Sequence, residues 1–169
     1  MDAMEAIFTR RSVRKYRPER VPEQLVTELL RAAMAAPSAG NEQPWHFIVI
    51  TERALLDAIP KFHPYSSMLK HATVAIVVCG DLTLEKYKGY WILDCSAAAE
   101  NLLIAAAGKG LGAVWTGIYP MEDRVAGMRK LLNLPEHVVP LALIPIGYPA
   151  EQPVRVDRFN LGRVHQERW

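Results

Sequence analysis

The pattern of hydrophobic and polar positions along this chain predicts helices and strands within a single domain. Apolar residues recur at helical spacing between Pro22, which suits a first helical turn, and Pro37, which ends the pattern. The run 73–80 is apolar and rich in β-branched residues, as expected of a central strand covered on both faces. In all, the pattern predicts helices at 2–10, 22–36, 52–59 and 122–132 and strands at 45–51, 73–80 and 138–147.

Two further segments have apolar residues without an evident partner in the chain. The segment from Asp94 to Gly108 is rich in alanine and apolar almost all round. Such a helix is buried on more than one side, often against another subunit. The tail 148–169 carries four arginines and ends in Trp169, yet it shows no packing partner of its own. The hydrophobic pattern alone does not show what either segment packs against.

The composition is that of one globular domain spanning residues 1–169. Of the 169 residues 50% are hydrophobic and 22% are charged, and the length suffices to bury a core. The net charge of +2 is too small to indicate nucleic-acid binding by itself. Cys79 and Cys95 lie in apolar stretches and are predicted to be buried free thiols in a reducing compartment. With no signal-like start and no apolar run of roughly 20 residues, the protein is expected in the cytoplasm and off membranes.

Metal and hydrolytic sites find no support in the motifs. The five histidines are scattered and the cysteines are not clustered, so no metal site is expected. A GxSxG nucleophile motif is absent from the sequence. The glycines of the segment 108–112 follow a predicted helix instead of opening one. They are therefore interpreted as a helix end and not as a nucleotide-binding loop.

The basic segment RRSVRKYRP, residues 10–18, is the first candidate binding element. In an extended stretch Arg10, Ser12 and Arg14 point to one side, because side chains alternate along a strand. Two guanidinium groups and a hydroxyl on one side suit a phosphate. The alternatives are a solvated basic segment and a weak nucleic-acid arm.

The loop PSAGNEQPW, residues 37–45, is the second candidate. Its proline, serine, glycine and asparagine are turn formers, so it could serve only to pass the chain from a helix into a strand. The amide side chains of Asn41 and Gln43 go beyond what a turn needs. Together with the basic segment they predict a site for a planar, hydrogen-bonding cofactor that carries a phosphate.

Five motifs in order resemble the nitroreductase family of flavin enzymes over nearly the whole chain. They are RRSVRKY, APSAGNEQPW, the strand ending in CGD, the alanine-rich helix running into GLGAVWTGIYP, and IGYPAEQP followed by DRF and ERW. The resemblance implies an α+β fold with a central, mostly antiparallel sheet flanked by helices. It also implies a homodimer with FMN at two interface sites, and a domain-swapped C-terminal tail, residues 153–169, that extends over the partner subunit.

The resemblance also implies which residues bind FMN. One group would line the phosphate, ribityl and pyrimidine side, with a basic residue of DRF closing the phosphate site: Arg10, Arg11, Ser12, Arg14 and Arg158. A second group would approach from the other subunit or the ring edge: Pro37, Ser38, Ala39, Asn41 and Gln43. A third would pass the ring, with a backbone N–H of its last two members facing flavin N5: Trp115, Thr116 and Gly117.

Two departures from the family pattern add to this prediction. Ser67 falls where many larger relatives have a basic residue before the strand. The stretch between CGD and DCSAAA is short, so the segment that covers the substrate is reduced to LTLEKYKGYWIL. Tyr87, Tyr90 and Trp91 are the predicted gatekeepers of substrate access.

The activity that the resemblance implies is hydride transfer from NADH or NADPH, through FMN, to nitroaromatics, quinones or similar flat acceptors in a ping-pong cycle. No catalytic side-chain acid or base is expected. Arg14 would stabilise the reduced flavin, while a backbone N–H of Thr116 or Gly117 would hold N5. The alternatives are a flavoenzyme of the same fold with another reaction, such as a dehydrogenase or a reductive dehalogenase, and a non-catalytic flavin-binding or basic-arm protein.

Overall fold

In a computed structural model that describes residues 1–152 and 154–169, these residues form five α-helices and five strands. The α-helices are α1 (Ala3–Thr9), α2 (Glu23–Met34), α3 (Arg53–Ala58), α4 (Trp91–Gly108) and α5 (Glu122–Leu132). The strands are β1 (Trp45–Ile50), β2 (Val74–Asp81), β3 (Gly112–Ala113), β4 (Thr116–Gly117) and β5 (Val138–Gly147). The predicted helices and strands are confirmed, and the short strands β3 and β4 are additional.

The strands form one antiparallel sheet in the order β1-β2-β5-β3, and β4 also pairs with β5. Strand β2 lies between β1 and β5, and every one of its residues is buried. Helices α2 and α4 pack together on one face of the sheet. The predicted α+β fold, with a central antiparallel sheet flanked by helices, is therefore confirmed.

Alternation along β2 divides the core into two layers. Ile76 and Val78 pack into the cluster that holds α2 and α4, whereas Val77 and Cys79 pack into the cluster on the opposite face. Cys79 and Cys95 are buried free thiols, as predicted, and burial raises the pKa of each to about 12. The run of apolar residues in this strand is thus explained by burial on both faces.

Helix α4 begins at Trp91, three residues before the predicted start. It ends as the glycine pattern predicted, with Gly110 at φ 72° and the N–H of Leu111 donating to the carbonyl of Ala106 at 2.8 Å. Ala98 is fully buried in the core of its own chain, but Leu93 on another side of the helix is 62% exposed. The apolar surface of α4 is therefore only partly covered within one chain.

The C-terminal tail lies on the surface. Arg11 fastens its first part, since Nε donates to the carbonyl of Val154 at 3.0 Å and Nη2 donates to that of Val156 at 2.9 Å. Beyond this anchor Phe159 is 76% exposed, and Trp169 is fully exposed apart from stacking on His165. In the described part of the chain no helix is long and apolar enough to cross a membrane.

Candidate functional site

The basic segment after α1 runs extended along the edge of the sheet, as predicted. The N–H of Val13 donates to the carbonyl of Ala113 at 3.0 Å, and Ser12 forms a parallel bridge to the same residue. Val13 and Tyr16 are buried, whereas Ser12 and Arg14 are exposed. The segment therefore carries polar side chains along the surface while its apolar residues anchor it.

A cavity of about 410 Å³ collects five of the predicted site residues. Its remaining walls come from the turn that precedes β2, namely Pro64, Tyr65 and Met68. The five predicted residues come from three distant parts of the sequence and are Arg14, Ser67, Trp115, Thr116 and Gly117. We refer to this space as the Arg14 cavity.

Gly117 leaves one wall of the Arg14 cavity open. A Cβ placed on this residue would meet no atom within 4 Å. Gly117 lies opposite Ala142 of β5, and the next residue, Ile118, donates its N–H to the carbonyl of Leu141 at 3.0 Å. Because bonded and non-bonded pairs alternate along an antiparallel ladder, the N–H and C=O of Gly117 point away from β5.

The carbonyl of Gly117 accepts two hydrogen bonds from side chains. Nη1 of Arg124 donates at 2.9 Å, and Nε2 of His63 lies at 3.0 Å. Burial, followed by the charge of Arg124, lowers the pKa of His63. The imidazole is therefore neutral at pH 7, and Nε2 must carry the proton that it donates.

The loop 37–44 is held by its own side chains. Nε2 of Gln43 donates to Oδ1 of Asn41 at 2.7 Å, and the N–H of Gln43 donates to Oγ of Ser38 at 3.1 Å. Asn41 and Gln43 take φ values of 55° and 48°, which asparagine tolerates better than most residues. Within the described single chain, none of the five predicted residues of this loop, Pro37, Ser38, Ala39, Asn41 and Gln43, lines the Arg14 cavity.

Glu42 and Asp94 form a buried carboxyl pair behind this loop. Oε2 of Glu42 accepts from the N–H groups of Lys86 and Tyr87 at 2.6 and 3.1 Å, and Oδ1 of Asp94 accepts from the N–H of Ala39 at 3.0 Å. The other oxygens, Oε1 of Glu42 and Oδ2 of Asp94, are buried and have no other partner among the described residues. A single proton held between the two carboxyl groups satisfies both oxygens.

The pKa shifts agree with one shared proton. Burial, together with the charge of Glu42, raises the pKa of Asp94. Burial also acts to raise the pKa of Glu42, but the N–H groups of Lys86 and Tyr87 outweigh it and lower that pKa overall. When the pair holds one proton, that proton therefore lies on Asp94, and the pair links three segments: the loop 37–44, the segment 82–90 and the start of α4.

Two of the three predicted gatekeepers lie on the surface, and the third does not. Tyr87 and Tyr90 are exposed, and their rings meet edge to face with 6.1 Å between the ring centres. The ring of Tyr87 lies against Gly40. Trp91 is buried against Gly80 and the ring of Tyr119. Trp91 is the first residue of α4 and its side chain faces the sheet, so its role in access stays a prediction that its burial in the single chain does not support.

The other predicted arginines lie outside the Arg14 cavity in one chain. Arg10 forms an ion pair with Glu100 at 3.1 Å. Arg158 lies with Arg11 and Arg155 around a separate cavity of about 620 Å³ between α1 and the tail. A single chain thus leaves the predicted phosphate residues Arg10, Ser12 and Arg158 dispersed, and their joint role stays a prediction about an assembly of two chains.

Four further residues of this region are not predicted as site residues from the sequence: His63, Arg124, Glu42 and Asp94. The histidine and the arginine lie 61 positions apart and meet only because both approach Gly117. Glu42 lies inside the loop motif, but only its burial separates it from an ordinary solvated glutamate. Among the described residues no group of three metal-ligating side chains is present.

Comparison with known proteins identifies the family to which these features belong. The model of the nitroreductase family matches residues 7–64 and 61–148. A protein of Methanothermobacter thermautotrophicus with the provisional name NADH dehydrogenase/NAD(P)H nitroreductase is 56% identical over 100% of this chain and 88% of its own length. A crystal structure from Parabacteroides distasonis with the same provisional name has a TM-score of 0.95 at 45% identity, covering 99% of this chain and 98% of its own.

A further solved structure was determined with the cofactor that the resemblance implies. It is a protein of Desulfovibrio desulfuricans, provisionally named a nitroreductase, in complex with FMN. It has a TM-score of 0.86 at 29% identity and covers 100% of this chain and 98% of its own. The family resemblance seen in the five sequence motifs is confirmed, and the chain belongs to the nitroreductase family.

Proposed function

We propose that this chain is an FMN-dependent oxidoreductase that uses NADH or NADPH to reduce flat acceptors such as nitroaromatics and quinones. The observation that carries the proposal is the Arg14 cavity, where predicted residues from three parts of the sequence line one space. Family membership and the FMN complex of the Desulfovibrio relative support the choice of cofactor. When bound, FMN supplies the centre that accepts and passes on a hydride.

The groups around the Arg14 cavity fit FMN. The guanidinium of Arg14, the hydroxyl of Ser67 and the outward N–H of Gly117 can all donate hydrogen bonds. The ring of FMN presents nitrogen and oxygen acceptors along one edge, so this donor set matches it. The open space at Gly117 lets a flat ring approach the backbone closely. Arg14 makes no ion pair with another described residue, so its charge is available to a ligand.

The chain's own groups have defined roles in this reaction. Arg14 would bind the polar edge of FMN and stabilise negative charge that develops there on reduction. The N–H of Gly117 would orient the ring, and Trp115 would form part of the surface on which the ring lies. Tyr87 and Tyr90, which are exposed, would control which flat molecules reach the open face. None of these roles requires a side chain to gain or lose a proton.

The working form is a homodimer in which the tail of one chain crosses to the other. Leu93 on α4 and Phe159 in the tail are both largely exposed in the single chain, at 62% and 76%. A second copy would cover such surfaces and bring Arg10, Ser12 and Arg158 toward a common phosphate. It would also bring the loop 37–44 of one chain toward the cofactor of the other.

The direct test is the visible spectrum of the purified protein and its oxidation of NADH and NADPH with menadione or a nitrofuran. We expect a flavin spectrum that is retained on gel filtration, and turnover with both kinds of acceptor. A protein that stays colourless and does not take up added FMN would overturn the proposal. Retained FMN without NAD(P)H oxidation would instead favour a non-catalytic flavin carrier.

Replacing Gly117 with alanine tests the placement of the ring. Because the added methyl meets no atom within 4 Å, we expect the melting temperature of the cofactor-free protein to stay unchanged. The methyl occupies space that the ring needs, so FMN affinity should fall by about tenfold, or about 1.4 kcal/mol. Differential scanning fluorimetry and FMN fluorescence titration measure the two effects separately. Unchanged affinity would place the ring elsewhere.

A further inference from the structure

The carbonyl of Gly117 is held more firmly than its place in the sheet requires. Strand β4 contains two residues, and the carbonyl faces away from its partner strand. Two side chains converge on it: Arg124 from the first turn of α5 at 2.9 Å, and His63 from the segment after α3 at 3.0 Å. A backbone oxygen has two lone pairs, and here both are used by side chains from separate segments, so the direction of this carbonyl is fixed from two sides.

Each of the two donors also has a buried nitrogen atom that is left without a hydrogen-bond partner among the described residues. His63 is completely buried, and its Nδ1 has no partner among the described residues. Nε of Arg124 is likewise buried without a partner, and no described carboxylate lies within ion-pair distance of this guanidinium. Burying polar groups unpaired is unfavourable, and natural proteins tolerate it mainly at functional sites.

The consequence for Gly117 is a fixed backbone. Glycine loses more conformational freedom on folding than any other residue, and a two-residue strand constrains it only weakly. Hydrogen bonds from two different segments to its carbonyl fix the peptide plane that follows Gly117, and so restrict the conformations open to this residue at the wall of the Arg14 cavity. The two donors thus form a clamp on the part of the backbone that approaches the ligand.

The clamp also brings a positive charge to the cavity wall. The guanidinium of Arg124 lies 5.2 Å from the centre of the Tyr65 ring, and Tyr65 lines the Arg14 cavity. A cation at this place favours whichever form of a bound group is more negative. Reduction of FMN increases its negative charge, so Arg124 would favour the reduced cofactor.

We propose that His63 and Arg124 are positioning residues that fix the Gly117 backbone against FMN, and that Arg124 also raises the midpoint potential of the bound cofactor. The inference rests on the proposed function. His63 acts as a neutral donor and contributes orientation alone. Arg124 contributes both orientation and charge, so the two residues are separable by experiment.

The test compares Arg124→Met, Arg124→Lys and His63→Gln with a matched control, Arg129→Met. Arg129 lies on the same helix and likewise donates to backbone carbonyls, those of Pro135 and Glu136, but neither of these two residues lines the Arg14 cavity, whereas Gly117 does. The measurements are the dissociation constant of FMN by fluorescence titration and the midpoint potential by equilibration with redox dyes. Thermal unfolding of each FMN-free variant gives the structural cost.

We expect Arg124→Met to weaken FMN binding by about tenfold and to move the midpoint potential to a more negative value. Arg124→Lys should restore the potential but not the full affinity, because an ammonium keeps the charge without the planar donor geometry. His63→Gln should lower affinity and leave the potential unchanged. Arg129→Met should lose stability with no change in affinity or potential.

Three outcomes would overturn the inference, and they are distinguishable. If the wild-type protein binds FMN but affinity and potential are the same in Arg124→Met and His63→Gln, the clamp has no role toward the cofactor and the proposed function stands. If the wild-type protein takes up no FMN, the proposed function fails and the clamp fails with it. Equal effects in Arg129→Met and Arg124→Met would reduce the clamp to a stabilising contact.

Discussion

Ending the chain at Gln152 is expected to abolish both dimer formation and tight FMN binding. The tail carries Phe159 and Leu161 at 76% and 71% exposure, and surfaces of this kind are covered when a partner is present. Burying each side chain contributes roughly 1.5–3 kcal/mol, so their loss should raise the dimer dissociation constant by at least about 100-fold. The FMN sites would be lost as well if Arg158 binds the phosphate as predicted, because Arg158 leaves with the tail.

A full-length variant with Phe159→Ser and Leu161→Ser separates apolar burial from the other contributions of the tail. It keeps every arginine and the Arg11 anchor to the carbonyls of Val154 and Val156. We expect it to weaken the dimer nearly as much as truncation does. Light scattering over a dilution series and FMN titration provide the measurements. A truncated protein that still dimerises and binds FMN as tightly as the full chain would show that the tail plays no part.

Local chemistry determined the elements that could be predicted from the sequence. The sequence predicts strand β2 because its residues 74–79 are all apolar, and it predicts α5 and β5 to the residue. The early start of α4 depends on Glu85, whose Oε1 accepts from the N–H of Trp91 at 3.2 Å. A glutamate six positions upstream gives no periodic signal, so the prediction began α4 too late and left Trp91 outside the helix.

The residues of the site also fall into two groups: some belong to local sequence motifs, and others are recognised only by contacts between distant segments. The family motifs pointed to Arg14 and to Thr116 and Gly117, and the fold brings them to one cavity. His63 was interpreted as one of several scattered histidines, because nothing local to it reveals that Gly117 lies 54 positions away at 3.0 Å. Contacts that exist only between distant segments, and unpaired atoms that exist only after burial, cannot be derived from spacing along one chain.

Glu42→Ala is expected to cause the largest loss of stability of any single substitution considered for this protein. The change leaves the N–H groups of Lys86 and Tyr87 and the protonated carboxyl of Asp94 without a partner. Each unsatisfied group costs about 1–3 kcal/mol, so the free energy of unfolding should fall by about 3 kcal/mol or more. The control is Glu19→Ala, which removes an exposed ion pair with Arg17 and should have little effect.

Asp94→Asn is expected to behave oppositely, because an amide can replace the protonated carboxyl group. Its oxygen can accept from the N–H of Ala39 and its NH₂ can donate to Glu42, so near neutral pH stability should be retained. The pKa of Asp94 is raised on folding, so the stability that its proton confers in the wild type is present at low pH. That stability is lost as pH rises through the raised pKa.

The variant therefore differs from the wild type most clearly in its pH dependence. Above the raised pKa of Asp94 the wild-type pair carries two buried negative charges, whereas Asp94→Asn carries one at every pH above the lowered pKa of Glu42. Urea unfolding at a series of pH values from below to above the raised pKa of Asp94 should show wild-type stability declining more steeply with pH than that of Asp94→Asn, with the variant the more stable at the alkaline end. Parallel curves would mean that the two carboxyl groups do not share a proton, and the segment 82–90 would then be held by Glu42 alone.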